Sequence, residues 1–146
     1  MHAVRKDHGV GRRSTVSGGN SNTDGGEYSS LSGGFASTTS GIFSSVSGGR
    51  YNTASDDSAS VSGGENNAAD AKYASVSGGE HNKATGESSS VSGGTYCEAS
   101  GEHASVSGGN NNAAHRSFSS VSGGSNVTAS GVVLWRAGDL WMNTTE

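Results

Sequence analysis

The sequence predicts an all-β fold of the solenoid kind, one short unit stacked on copies of itself. Three observations carry that prediction. Ser-Gly-Gly recurs eight times, and the residue before it stands at 16, 31, 46, 61, 76, 91, 106 and 121, always fifteen apart. That residue is valine seven times, with Leu31 the exception. Proline is absent from all 146 residues, which suits stacked strands because each backbone N–H is needed in a ladder. A fixed short period with one apolar residue in register describes a unit that cannot bury its apolar face alone.

We number each unit from the residue before the valine, so the first full unit starts at Thr15 and the eighth at Ser120. Position 1 is Ser in seven units, position 2 Val or Leu, position 3 Ser, and positions 4 and 5 Gly in all eight. Positions 6 and 7 vary: Asn20-Ser21, Arg50-Tyr51, Glu80-His81, Thr95-Tyr96. Position 8 is mostly Asn (Asn22, Asn52, Asn67, Asn82, Asn112) and position 10 mostly Ala (Ala54, Ala69, Ala84, Ala99, Ala114, Ala129). Position 12 is often Gly: Gly26, Gly41, Gly86, Gly101 and Gly131.

Two short strands with an alternation of two follow from this pattern. In the first, valine at position 2 points in and the serines at 1 and 3 point out. In the second, Asn at 8 and Ala at 10 point in, while Thr53, Lys83 and Glu98 at position 9 face water. Glycines at 5 and 12 mark the turns, where a positive φ or close backbone approach is needed. Each unit is then one coil, coils stack about 4.8 Å apart, and eight make a rod of roughly 40 Å. Helix is disfavoured by the density of Gly and Ser, and fifteen residues do not return a helix to one face.

Stacking makes residues fifteen apart into neighbours, and the charges give a check. Arg50 precedes Glu65 at position 6, Lys83 precedes Glu98 at position 9, and position 13 runs Asp57, Lys72, Glu87. Such opposite-sign neighbours support one another. Glu65 beside Glu80 and Glu87 beside Glu102 are like-charge exceptions.

Composition excludes several classes. Hydrophobic residues make up 29% and Gly 25 of the chain, values that alone resemble a flexible linker. A linker does not hold valine in register over eight units. A formal charge of −4 lacks the basic footprint of a nucleic-acid binder. Arg5, Lys6, Arg12 and Arg13 all precede the repeats, so residues 1–14 read as a basic, solvated and flexible leader. Cys97 is the only cysteine, so no intrachain disulfide forms. No apolar run reaches membrane-helix length, and no signal peptide is expected, because the N-terminus lacks an apolar stretch behind its charges.

A coil that buries one valine and one alanine has little with which to offset the ordering of fifteen residues. A further apolar surface is expected, and self-association supplies it most simply. Position 14 is the candidate surface: Tyr28, Phe43, Tyr73, Phe118 and Val133, interspersed with Ser58, Ser88 and His103.

Units such as Ser44-Ser45-Val46-Ser47-Gly48-Gly49-Arg50-Tyr51-Asn52-Thr53-Ala54-Ser55, and the run from Ala74 to Gly86, resemble the head repeats of trimeric autotransporter adhesins of the YadA type. Those read approximately Ser-Val-Ala-Ile-Gly-x-x-Ser-x-Ala-x-Gly. The resemblance covers residues 15–131. It implies a single-stranded left-handed parallel β-roll, three chains around one axis, an extracellular or cell-surface location, and a host surface or extracellular matrix as partner. Here the unit is fifteen residues, and Gly-Gly stands where that family has Ile-Gly or Val-Gly. Similar rolls would also serve as a phage tail-fibre or filament building block.

No catalytic constellation emerges, and the chain is read as a non-enzyme with no cofactor, no metal site and no membrane insertion. The histidines stand at His2, His8, His81, His103 and His115, and the last three fall at positions 7, 14 and 11, on different faces. Cys97 replaces an inward Asn at position 8 and reads as a small buried residue. The Asn of position 8 is expected to hydrogen-bond turn backbone in successive coils. Asn126-Val127-Thr128 and Asn143-Thr144-Thr145 match the glycosylation sequon but are expected by chance in this composition. The serines at positions 1 and 3 form outward hydroxyl rows like those of ice-binding solenoids, which gives a second functional reading.

After Gly131 the pattern breaks. Position 2 of a ninth unit would be Arg136, so the coils are expected to stop there. Residues 132–146, with Trp135 and Trp141, read as an apolar cap or junction. The reading is a structural or adhesive surface module, trimeric, presenting variable residues at positions 6, 7 and 13 to a partner.

Overall fold

A computed structural model describes residues 8–131 and the short strand at 135–136. The described residues are all-β and form a parallel β-solenoid of about eight turns, with one fifteen-residue unit per coil. Each coil contributes two two-residue strands. β1 (His8–Gly9), β3 (Thr23–Asp24) and so on to β17 (Thr128–Ala129) carry positions 9 and 10 and make one nine-stranded sheet. β2 (Thr15–Val16), β4 (Ser30–Leu31) and so on to β18 (Trp135–Arg136) carry positions 1 and 2 and make the other. All pairings are parallel and in register at fifteen, as in Ser75↔Ser90 and Lys83↔Glu98. Bridges at position 6, from Asn20↔Phe35 to Asn110↔Ser125, add a third stacked line.

The interior follows the alternation. Val46, Val61, Val76, Val91, Val106 and Val121 are buried, as are Leu31 and the position-10 alanines. The small residues at position 15 (Ser44, Ala59, Ala74, Ser89, Ala104) complete the core. The position-3 serines are exposed in all eight coils. Strand amides donate forward to the next coil, for example Ser45 N–H to the Ala59 carbonyl at 2.9 Å and Thr53 N–H to the Asn67 carbonyl at 2.9 Å.

The turns differ from expectation in one respect. Position 5 needs a positive φ, as at Gly64 (φ 86°), whereas position 12 is a site of close approach without one. The remaining corners are made by sixteen non-glycine residues with φ between 51° and 61°. They occupy positions 7 (Tyr51, Asn66, His81, Tyr96 and their equivalents) and 14 (Tyr28, Phe43, Tyr73, Phe118 and theirs). The cause is visible in the hydrogen bonds. At these corners the amide turns backward, so Phe43 N–H donates to the Glu27 carbonyl and His81 N–H to the Glu65 carbonyl, each at 2.9 Å. Left-handed backbone excludes β-branched side chains more strongly than others, and none occurs at the sixteen positions.

Strand pairing extends past residues 15–131 at both ends. β1 pairs with β3, so the stack already includes His8 and Gly9 of the segment read as a flexible leader. β18 pairs with β16 (Ser120–Val121), so a ninth coil begins despite Arg136 at position 2. The ladder is made by backbone groups, and pairing does not need the valine. The remainder of the expected C-terminal cap lies outside the described residues.

Candidate functional site: the side-chain ridges

The buried asparagines show how the turns are held. Asn67 Nδ2 donates to the Gly63 carbonyl of its own coil and to the Gly79 carbonyl of the next, both at 2.9 Å. Its Oδ1 accepts from Asn82 N–H at 2.9 Å. Asn52, Asn82 and Asn112 repeat the arrangement. These side chains are spent on structure, which matches the role expected for position 8.

The chemistry that varies lies on exposed corners. Along position 14 the rings of Tyr28 and Phe43 stack at 5.1 Å and those of His103 and Phe118 at 5.0 Å. Arg13 lies over Tyr28 and Lys72 over Tyr73. Along positions 6 and 7, His81 stacks on Tyr96 at 4.8 Å, Phe35 meets Tyr51 edge-on, and Arg50 lies over Tyr51. Six of the seven Tyr and Phe residues sit at the left-handed corners, the other being Phe35. Phe43 is 61% exposed and Phe118 57%. The rings meet in pairs along two exposed ridges of corners, interrupted by Ser58 and Ser88 at position 14 and by Asn66 at position 7.

Of the charge neighbours read from the sequence, Arg50–Glu65 forms an ion pair at 2.6 Å. Lys83 and Glu98 are paired in register without forming one. Lys72 turns to the Tyr73 ring, and Asp57 Oδ1 accepts from Ile42 N–H at 3.2 Å. Of the histidines, His81 lies beside Glu80, His103 beside Glu102, and His115 is hydrogen-bonded to Ser100 Oγ at 2.8 Å. Among the described residues, no group of three or more His, Cys, Asp or Glu side chains is placed to hold a metal ion. Asn126 is exposed and accepts from Asn111 Nδ2 at 2.7 Å. Asn143 lies outside the described residues.

One polar cluster escaped the sequence reading. Asp24, at a position that is Ala in most coils, is fully buried. It accepts from Thr15 N–H at 2.9 Å, from Thr39 Oγ1 at 2.7 Å, and from Ser29 Oγ. The signal was a coincidence of two departures, Asp24 and Thr39, at position 10 of adjacent coils.

No protein-family model matches the chain, and no curated protein matches it.

Proposed function

We propose that the chain is a non-enzymatic structural or adhesive module, a rod that presents variable side chains at positions 6, 7 and 13 to a partner. The observation that supports this most is the division of labour along each coil. Buried positions repeat with little change and are spent on packing and backbone hydrogen bonds. Variety is concentrated on the exposed ridges. The thin core favours self-association, and the resemblance to trimeric adhesin heads sets the expected number at three, on a cell surface. Sedimentation equilibrium should give about three times the 14.5 kDa chain mass. A species of 14.5 kDa at high micromolar concentration would remove the trimer. Coated beads carrying the chain should adhere to an extracellular-matrix layer less well once Arg50, Tyr51, His81 and Tyr96 are replaced by serine. Unchanged adhesion by the folded variant would remove the ridges' role.

A second reading rests on the position-3 serines, exposed in all eight coils directly after the strands of one parallel sheet. Such hydroxyl rows suit the binding of ordered water. Thermal hysteresis would support it, and freezing-point behaviour identical to that of an inert protein would dispose of it.

A further inference from the structure

The interior amide links are not equal along the rod. Each position-8 asparagine makes two links to the following coil. Its Oδ1 accepts the next position-8 N–H, and its Nδ2 donates to the next position-5 carbonyl. Both links are present after Asn22, Asn52, Asn67, Asn82 and Asn112. Ser37 keeps one of them, its Oγ accepting Asn52 N–H at 3.2 Å. Cys97 keeps neither at full strength. Its thiol faces the Gly109 carbonyl at 3.6 Å, a weak contact, and it has no oxygen to offer Asn112 N–H. Asn112 is fully buried, so water cannot replace that acceptor in the closed rod.

The other contacts across this junction are of ordinary kinds. The strand ladders continue unchanged through Ser90↔Ser105 and Glu98↔Ala113. The His103–Phe118 stack and the Ser100–His115 hydrogen bond lie on the wet surface. The deficit is confined to the interior.

In a stacked array each coil touches only its neighbours, so among the junctions whose position-8 residues are both described, the one with the weakest links parts first. We propose that the junction between the coil of Cys97 and the coil of Asn112 is a built-in fault line. The C-terminal coils open there as a block before the rod unfolds as a whole. Opening uncovers the Cys97 thiol, which is 1% exposed in the closed state. The inference rests on interior geometry and is independent of what the ridges bind.

Native-state hydrogen exchange, together with labelling of the full chain by 5,5′-dithiobis(2-nitrobenzoate), tests this. Amides from Asn110 to Ser130 should exchange faster than those from Thr53 to Ala84. Cys97 should be labelled about tenfold or more faster than global unfolding permits, the effect of about one missing hydrogen bond. Fraying of the C-terminal end alone would give a similar profile, so Cys97→Asn decides. It restores both links and should bring the C-terminal amides close to the protection of the middle coils. Adding Asn67→Cys to that background should move the fast boundary to the junction between positions 67 and 82. Labelling only at the global unfolding rate would overturn the fault line, and so would a C-terminal exchange profile unmoved by Cys97→Asn.

Discussion

Gly64→Ala should destabilise the rod by about 3–5 kcal/mol, while Gly63→Ala, one residue earlier in the same triplet, should change stability by less than about 1 kcal/mol. Gly64 has φ 86°, and a Cβ there would overlap the Gly79 carbonyl of the next coil and crowd Asn67 Nδ2. The left-handed backbone alone costs an L-residue about 1–2 kcal/mol. Relieving the overlap requires the two coils to separate, which breaks the amide links around it. At Gly63 φ is not positive and a Cβ would meet nothing within 4 Å. Urea unfolding of the two variants should therefore show a large shift in midpoint for one and almost none for the other. Equal shifts would mean that the two glycines do not play the separate roles assigned to them.

Asn67→Ala should cost about 2–4 kcal/mol, the effect of stranding buried polar groups. The substitution removes both Nδ2 bonds and leaves Asn82 N–H without its acceptor in a fully buried stretch. Asn67→Ser should recover part of the loss. Ser37 shows how, since its Oγ accepts the next coil's amide in place of an asparagine oxygen. If serine proved no better than alanine, the amide acceptor would not be the element that matters at position 8.

Much of this was legible before any coordinates. Valine in strict register gave the inward column, because only packing selects register. Asn at position 8 gave the turn-binding role, since a repeated inward amide must find backbone partners. The corners at positions 7 and 14 were not legible. Tyr, Phe, His, Asn, Ser, Ala and Arg all occur there, so the constraint shows only as the absence of β-branched residues. Asp24 was hidden by the alanines that fill position 10 elsewhere. The missing ion pair at Lys83–Glu98 has a different cause. Register makes two residues neighbours, but long exposed side chains gain little by holding one rotamer. Cys97 could be read as a substitution in its own coil, yet its effect falls one coil later, at Asn112.

The claim on which the rest depends is that residues fifteen apart in sequence lie one coil apart in space. Spin labels at Ser17→Cys and Ser107→Cys, in a Cys97→Asn background and diluted with unlabelled chain, measure it by pulsed electron resonance. Both serines are exposed at position 3, six coils apart. Stacked coils predict a narrow distribution near ~29 Å. A broad distribution centred near ~50 Å, as expected of a flexible Gly/Ser-rich chain of the same length, would contradict it.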